Sequence, residues 1–334
     1  MSILSRSYFY DEKAAFEHVE AMLWPKGPVC PHCGNTDRIY KLEGVRTKPS
    51  KKNPEGIERH GLKKCGACRK QFTVRHNTIF AESPIPLHKW LQAIHLMVSS
   101  KKGISSNQLH RTLEVTLKTA WFLSMRIREA MRKDDFSPMV GAGGIVEVDE
   151  TYVGTSDEAR ERRARFKSLK KNKNKRHTFH AGAGHKNVVL TLVDRTGEAR
   201  SFVVDRATKA TVLPVLRENL DKEARVVTDD SGLYGKLDYE YMHAFVNHSK
   251  GEYGRGEITT NTVEGFFSIF KRGMKGVYQH CSEKHLHRYL AEYDFRYSNR
   301  VKTGCDDKER ANRALLSVVG KRLTYDRTNE QSYA

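Results

Sequence analysis

The pattern of apolar positions divides the chain into a helical stretch and a later stretch of strands. Between residues 86 and 132 apolar side chains recur every three or four positions, which predicts amphipathic helices. From residue 145 onward the apolar residues alternate with polar ones or form short runs, which is typical of strands. The first predicted helix carries an apolar stripe that consists of Leu87, Trp90, Leu91, Ile94 and Val98.

Two further helices are predicted after this stripe. Ser105 or Ser106 is a suitable N-cap for a short helix that ends at Leu113, and Thr116 is a suitable N-cap for a longer one. A short helix, a tight turn and a longer helix resemble a helix-turn-helix, whose second helix lies in the major groove of DNA. A helical bundle that links two domains would explain the same spacing. The basic residues of the second helix that would contact DNA are Lys118, Arg126 and Arg128.

The later elements follow the order of a ribonuclease-H-like α/β fold. Three consecutive strands are predicted in IVEVDETYVG, NVVLTLVD and SFVVD, and a helix follows in KATVLPVLRENL. A fourth strand is predicted in ARVVTDD, a fifth in HAFVNHS, and helices complete the domain. Because only the order of elements is matched, this fold class is an analogy that says nothing yet about chemistry.

The charge of the chain indicates a polyanionic partner. Lys and Arg number 59 against 40 Asp and Glu, a net charge of +19. Soluble proteins this basic commonly bind nucleic acid, although a ribosome-associated or merely well-solvated basic protein would have the same balance. The sequence contains no apolar run of membrane-spanning length and no signal-peptide pattern. We therefore expect no membrane partner and a cytoplasmic, nucleoid-associated protein.

Four of the six cysteines form two C-x-x-C pairs. Cys30 and Cys33 lie in CPHCG, Cys65 and Cys68 lie in CGAC, and 31 residues separate the two pairs. Each pair can form a turn that directs two thiolates at one ion, and two such turns complete a tetrahedral zinc site. A redox dithiol or chance pairing is the alternative. The spacing predicts a structural Zn²⁺ that stabilises a small ribbon with little core of its own.

Three acidic residues occupy positions where this fold would gather them. Asp149 lies toward the end of the first strand, Asp229 follows the fourth, and Glu264 lies near the start of a helix. The first and fourth strands are neighbours in the ribonuclease-H-like order, so their carboxylates could share divalent ions. Carboxylate oxygens suit Mg²⁺ or Mn²⁺, which promote phosphodiester chemistry. The competing residues are Glu147 and Glu150 for the first position, Asp230 for the second, and Glu257 and Asn261 for the third.

Several strings carry a resemblance to a known family. VEVDETYVG, VVTDDSGLY and the string that begins NTVEGFFSIFKRG resemble the zinc-ribbon-bearing DDE transposases of bacterial insertion sequences, the ISXO-like group. With CPHCG, CGAC and FTVRHNTIF, the likeness runs from about residue 30 to about residue 300. It implies the catalytic triad Asp149, Asp229 and Glu264, although some relatives have Asn as the third member and Asn261 lies close by.

The same resemblance implies a reaction and a set of partners. The enzyme would hydrolyse a phosphodiester at each transposon end and then join the freed 3′-hydroxyl to target DNA, with Mg²⁺ or Mn²⁺ as cofactor. Because two ends must be cut together, we expect a homodimer or a larger assembly on double-stranded DNA. Two other functions fit parts of the pattern. A zinc-ribbon regulator with an inactive nuclease-like domain would bind without cutting, and a nuclease or resolvase of the same fold would cut without joining.

Two groups of basic residues would support this chemistry. Ten of the 17 residues from Arg160 to Arg176 are Lys or Arg, and such a block could hold target DNA through phosphate contacts. Two lysines, seven and eleven residues after Glu264, would lie on one helix face with it. An ordinary solvated helix face explains these lysines equally well. The candidate DNA contacts in the two groups are Arg162, Arg163, Lys170, Lys171, Lys271, Arg272 and Lys275.

The chain is expected to fold as several units in series, since 334 residues are too many for one small core. The predicted units are a helical lead-in (1–25), a zinc ribbon (26–82), a helical DNA-binding connector (84–135), a ribonuclease-H-like catalytic domain (143–303) with a basic insertion (155–186), and a C-terminal tail (304–334).

Overall fold

The protein folds as two compact units. The computed structural model describes residues 2–51, 53–133, 137–141, 143–155, 161, 186–235, 237–252 and 254–324. The first unit, here called the ribbon unit, comprises Met1–Ser100, Ile104–Met131 and Asp306–Ala334. The second, here called the sheet unit, comprises Lys101–Gly103 and Arg132–Cys305. In the described part of the chain no helix is both long and apolar enough to cross a membrane.

The ribbon unit contains a small antiparallel sheet. Its strands β1 (Ile39–Lys41), β2 (Lys63–Cys65) and β3 (Gln71–Phe72) pair in that order. Phe72 is buried beside Cys30, Cys65 and Trp24, and these side chains form a small cluster of their own. A cluster of this size stabilises little by itself, because it buries few apolar groups. The ribbon therefore depends on another source of stability, as the cysteine spacing predicts.

Helix α2 is the centre of the helical part of the ribbon unit. The helices are α1 (Glu12–Leu23), α2 (Leu87–Ser99), α3 (Ser106–Leu113), α4 (Leu117–Met131) and α8 (Asp307–Leu316). Helix α2 packs against each of the other four. This confirms the predicted apolar stripe, because all five of its residues are buried. Helix α8 lies within the segment predicted as a C-terminal tail.

Helices α3 and α4 have the predicted arrangement of a short helix, a turn and a longer helix. The Oγ of Ser105 accepts a hydrogen bond from the backbone N–H of Gln108 (3.2 Å), which caps α3. The Oγ1 of Thr116 accepts one from the N–H of Thr119 (3.2 Å) at the start of α4. Between them Glu114 has a positive φ of 51°, which turns the chain at the end of α3. Both predicted caps are therefore confirmed.

The sheet unit is built on a mixed five-stranded sheet. Its strands are β4 (Ile145–Val153), β5 (Asn187–Asp194), β6 (Ala199–Val204), β7 (Arg225–Asp229) and β8 (Met242–Val246). The spatial order is β6-β5-β4-β7-β8. Strand β5 runs antiparallel to both β4 and β6, whereas β7 runs parallel to both β4 and β8. All five predicted strands are present, and the first and fourth are neighbours as expected.

Helices cover both faces of this sheet. They are α5 (Lys209–Asn219), α6 (Asn261–Gly273) and α7 (Glu283–Ser298), with a π-helical turn at Met274–Tyr278. On one face Val146 and Val148 belong to a core that includes Val212 and Leu216 of α5. On the other face β5 contributes to a core formed with α6 and α7. Strand β5 is buried along its whole length, which explains its continuous apolar run NVVLTLVD.

Candidate catalytic and metal sites

The four paired cysteines converge in the ribbon unit. Their Sγ atoms all lie within 4.8 Å of one another. The Sγ of Cys30 is 3.7 Å from that of Cys68, and the Sγ of Cys33 is 3.6 Å from that of Cys65. The backbone N–H of Cys68 contributes most to lowering the pKa of the Cys65 thiol, to about 6. A convergent group of four thiols, two of them buried and one easily ionised, fits a structural zinc ion.

Asp149 and Asp229 lie on neighbouring parallel strands of the sheet unit. The β4–β7 ladder pairs Ile145 with Arg225 and Glu147 with Val227, an offset of 80 residues, and it ends two residues before the two acids. Asp229 is near enough for its charge to raise the pKa of Asp149. Burial, together with the charges of Glu150, Asp229 and Glu264, raises the pKa of Asp149 to about 7. Burial likewise raises the pKa of Asp229. The two carboxylates repel each other in a partly desolvated site.

Glu264 lies in the first turn of α6, near enough to influence Asp149. Its Oε1 accepts a hydrogen bond from the Oγ1 of Thr260 (2.8 Å) and lies 3.4 Å from the Nε2 of His248. His248 Nε2 also lies 3.2 Å from Thr260 Oγ1. No sequence motif singled out His248. The structure brings it to the edge of the acidic cluster.

The other acidic candidates occupy different environments. Glu150 projects to the opposite face of β4, as predicted, where its Oε2 accepts a hydrogen bond from the buried Tyr234 hydroxyl (2.6 Å). Asp230 accepts a hydrogen bond from the hydroxyl of Ser249. Glu257 is highly exposed, and its Oε2 lies 3.9 Å from Arg225. Asn261 is exposed at the start of α6. None of these four brings a side chain to the place that Glu264 occupies beside Asp149.

The three candidate acids fit a site for divalent cations in their chemistry. They supply hard oxygen ligands, and their mutual repulsion would be relieved by a cation. Among the described residues, however, the four cysteines are the only group of three or more possible ligands whose atoms all lie within 4.8 Å. The carboxylates of Asp149, Asp229 and Glu264 therefore do not converge to that distance here, and Glu264 bonds to Thr260 instead.

A fourth acid, Glu147, has a contact that sequence reasoning missed. It was considered only as a rival of Asp149, yet its side chain is completely buried. Its Oε2 accepts hydrogen bonds from the backbone N–H groups of Thr262 (2.7 Å) and Val263 (2.9 Å) in the first turn of α6. Its Oε1 lies 2.9 Å from the Nη2 of Arg195. The alternation of β4 placed Glu147 on the same face as Asp149, but no local pattern indicated its partners.

The burial of α4 corrects part of the predicted DNA contact. Lys118 is exposed, but Arg126 and Arg128 are only 5% and 1% exposed. The Nε of Arg126 donates to the carbonyl oxygen of Leu323 (2.9 Å), and the Nη1 of Arg128 donates to the Oγ of Ser124 (2.9 Å). Both guanidinium groups make these hydrogen bonds inside the ribbon unit. Because they present no charge at the surface, we do not retain these two arginines as DNA contacts.

The predicted basic face of α6 is exposed but shorter than expected. Lys271, Arg272 and Lys275 are all exposed. The α-helix ends at Gly273 and continues as a π-helical turn, so the regular helical spacing does not extend to Lys275. Arg272 donates hydrogen bonds to the carbonyl and hydroxyl oxygens of Ser268 (3.0 and 2.8 Å). Arg162, Arg163, Lys170 and Lys171 lie outside the described residues.

Two family models match this chain. Residues 141–298 match the ISXO2-like transposase domain, and residues 10–71 match the transposase zinc-ribbon domain. The first range contains strands β4 to β8, helices α5 and α6, and all three candidate acids. The second contains Cys30, Cys33, Cys65 and Cys68.

Two curated proteins resemble the chain. An uncharacterized protein in transposable element ISH50 of Halobacterium salinarum is 26% identical over 291 residues, which cover 86% of this chain and 91% of that protein. An uncharacterized transposase-like protein of Haemophilus influenzae is 30% identical over 100 residues, which cover 30% of this chain and 80% of that protein. The first similarity extends through both matched domains.

Proposed function

This chain belongs to the transposases that combine a zinc ribbon with an ISXO2-like transposase domain, and we propose that it cuts transposon ends and joins them to target DNA. The reaction would be metal-dependent hydrolysis of a phosphodiester followed by transesterification with the freed 3′-hydroxyl. The observation that best supports this proposal is the placement of Asp149 beside Asp229 on adjacent parallel strands, with Glu264 in electrostatic reach.

Asp149, Asp229 and Glu264 are the residues that would hold Mg²⁺ or Mn²⁺. Two bound divalent ions would supply charge stabilisation for the attacking and leaving oxygens of the phosphodiester. The donor set suits these ions, and the raised pKa of Asp149 reflects a concentration of negative charge that a cation would offset. Glu264 would have to exchange its hydrogen bond with Thr260 for this role, which a side-chain rotation can achieve because the side chain is 46% exposed.

The surrounding residues would orient the acids and the DNA. His248 lies against both Glu264 and Thr260 and would restrict the rotation of the Glu264 side chain. Lys271 lies two helical turns beyond Glu264 and is exposed, so its ammonium group could contact a phosphate beside the acids. Arg272 is bonded to Ser268 on its own helix, and Lys275 is exposed in the π-helical turn. We propose that these three residues contact the phosphate backbone of DNA.

We further propose that the sheet unit is a ribonuclease-H-like domain. Its mixed sheet has three antiparallel strands followed by two parallel ones, with helices on both faces. The candidate acids lie on β4, on β7 and on a following helix, which is the arrangement expected from the sequence. We also propose the domain boundaries that the sequence predicts.

DNA binding by the ribbon unit would use its exposed basic surface. Tyr40 and Lys64 are paired across β1 and β2 and are both exposed, and Lys118 is exposed at the start of α4. Tyr40 could stack on a base, whereas the lysines would contact phosphates. The basic block that contains Arg162, Arg163, Lys170 and Lys171 would hold target DNA. We propose that a homodimer or larger assembly acts on cellular DNA, because both ends must be cut together.

A cleavage and joining assay tests the proposal. The substrate is a duplex that carries the DNA flanking the gene, with Mn²⁺ or Mg²⁺, and the comparison is between wild type and Asp149→Asn. Asp205→Asn is a matched control, since Asp205 is an exposed acid after the edge strand β6. Joined products that require Asp149 but not Asp205 would support the transposase. Cutting without joining would favour a nuclease or resolvase, and binding without cutting would favour a regulator.

A further inference from the structure

Helix α6 is capped by a carboxylate from a distant strand. The first backbone N–H groups of a helix have no partner within the helix, and they carry a partial positive charge. In α6 the preceding residue, Thr260, supplies no side-chain cap. Glu147 of β4 fills this role with one oxygen, which accepts from the N–H groups of Thr262 and Val263. The cap therefore joins two elements that are more than 100 residues apart.

Arg195 completes the connection on the other side. Its Nη2 lies 2.9 Å from Glu147 Oε1 and donates to the carbonyl oxygens of Glu257 (2.8 Å) and Thr259 (3.4 Å). Its Nη1 lies 3.4 Å from the Oγ1 of Thr262. One guanidinium group thus links the buried carboxylate to the loop that enters α6. The charge of Glu147 is compensated by two amides and one cation.

This connection joins the strand that bears Asp149 to the helix that bears Glu264. Glu147 and Asp149 are two residues apart on β4 and project from the same face. Val263, which donates to Glu147, directly precedes Glu264. The contact therefore determines how close the helix turn that bears Glu264 lies to the strand that bears Asp149. A buried ion pair usually adds little net stability compared with apolar side chains of the same volume, but it does specify geometry.

We infer that Glu147, held by Arg195, is a positioning residue that keeps Glu264 in register with Asp149 and Asp229. The inference rests on the proposed function, because it assumes that these three acids act together. It assigns Glu147 no contact with substrate. Losing the negative charge at this position should loosen the first turn of α6 and weaken the binding of divalent cations, even though the three acids remain.

Glu147→Gln is the direct test, because glutamine keeps the shape of the side chain and removes its charge. Glu292→Gln is the matched control. Glu292 is also a completely buried glutamate of the sheet unit, with Arg296 Nη2 at 3.1 Å and the Tyr278 hydroxyl at 2.6 Å. Both variants lose a buried charge and its ion pair. They differ in whether that charge caps the helix of Glu264.

Two readouts on the full-length protein separate positioning from general stability. Mn²⁺ affinity, measured by titration with electron paramagnetic resonance, should fall about tenfold or more in Glu147→Gln, as is common when a residue that orients a metal ligand is lost. Amide hydrogen exchange should accelerate about tenfold or more in the first turn of α6, which includes Thr262 and Val263. Glu292→Gln should melt at a lower temperature but keep the Mn²⁺ affinity of the wild type.

The outcomes distinguish this inference from the proposed function. Wild-type exchange in the first turn of α6 of Glu147→Gln would overturn the inference, and so would an equal loss of Mn²⁺ affinity in Glu292→Gln. If Glu147→Gln does not fold, Arg195→Gln provides the same two readouts, with an expected loss of about threefold or more in each. If the wild type neither binds Mn²⁺ nor joins DNA, the proposed function fails, while amide exchange still decides whether Glu147 holds α6.

Discussion

Asp229 lies on the parallel strand next to that of Asp149, near enough for its charge to raise the pKa of Asp149. Asp149 lies in the middle of β4 and Asp229 at the end of β7, and both are half-buried, so neither carboxylate is fully solvated. This proximity contributes to a pKa of about 7 for Asp149, after the larger effect of burial. A site that holds several carboxylates together in this way destabilises the metal-free fold and favours a bound cation.

Replacing Asp149 with asparagine should therefore stabilise the metal-free protein. At pH 8 the wild-type carboxylate is ionised against its neighbours, whereas the amide carries no charge. We expect Asp149→Asn to raise the free energy of unfolding in EDTA by about 1–3 kcal/mol. Mn²⁺ should raise the melting temperature of the wild type and of Asp205→Asn, but not of Asp149→Asn. Urea unfolding in EDTA measures the first effect, and thermal melting with and without Mn²⁺ measures the second. A less stable Asp149→Asn in EDTA would contradict this account.

Asp294 should give the sheet unit a separate dependence on pH. It is partly buried in α7, and desolvation raises its pKa from 3.8 to about 7, although the Ser201 hydroxyl and backbone N–H donate to it. Between these values the folded protein holds a proton that the unfolded chain releases. The stabilisation is therefore complete below about pH 4 and is lost as the pH rises through 7.

Comparison with Asp294→Asn isolates this effect, because all other titrating groups are common to both proteins. Relative to the variant, the free energy of unfolding of the wild type should fall by about 2–3 kcal/mol between pH 5 and pH 8. Urea unfolding at both pH values provides the measurement. A difference that does not change with pH would show that Asp294 does not titrate in this range.

Removal of one zinc ligand should unfold the ribbon. In Cys65→Ser the tetrahedral site loses a buried thiolate, and a module with so small a core cannot compensate. We expect the zinc content, measured by plasma mass spectrometry, to fall from one ion per chain to near zero. Cys281→Ser is the control, since Cys281 lies outside the cysteine cluster. Full zinc occupancy in Cys65→Ser would exclude the four-cysteine site.

The basic block should determine much of the salt dependence of DNA binding. Each phosphate contact contributes about −0.9 to the slope of log K against log salt concentration. Changing Arg162, Arg163, Lys170 and Lys171 to glutamine should therefore reduce the slope by up to about 3–4 if all four contact phosphates. Fluorescence anisotropy with a labelled duplex at several salt concentrations tests this. An unchanged slope would remove the block from the DNA-binding surface.

Lys118 and Arg128 lie on the same helix but should respond differently to substitution. Lys118→Gln changes an exposed charge, so DNA affinity should fall about three- to tenfold while stability changes by less than about 0.5 kcal/mol. Arg128→Gln changes a buried residue bonded to Ser124 and should cost about 2–4 kcal/mol of stability. Melting curves and anisotropy on both variants measure the contrast. Equal losses of affinity without loss of stability would restore Arg128 as a DNA contact.

The sequence by itself determined the local elements and identified the candidate ligands. Period and capping residues predicted α2, α3 and α4, and alternation of apolar and polar residues predicted β4. The cysteine spacing predicted a four-thiol cluster, because two C-x-x-C turns can converge with few other constraints. The sequence also predicted that the strands of Asp149 and Asp229 are neighbours, because the order of the strands was recognisable. Asp229 ends β7 as expected, whereas Asp149 lies in the middle of β4 and not toward its end.

Only the tertiary structure decided which charged side chains are exposed to solvent and which partners the buried ones bond to. Arg126 and Arg128 looked like a DNA-binding face, yet packing within the ribbon unit buried both guanidinium groups. From the sequence, Glu147 was only an alternative candidate for the position of Asp149. In the structure it caps a helix that begins 114 residues later. Periodicity reports which residues share a face, but the partner of a buried charge comes from a distant part of the chain. No local pattern encodes that partner.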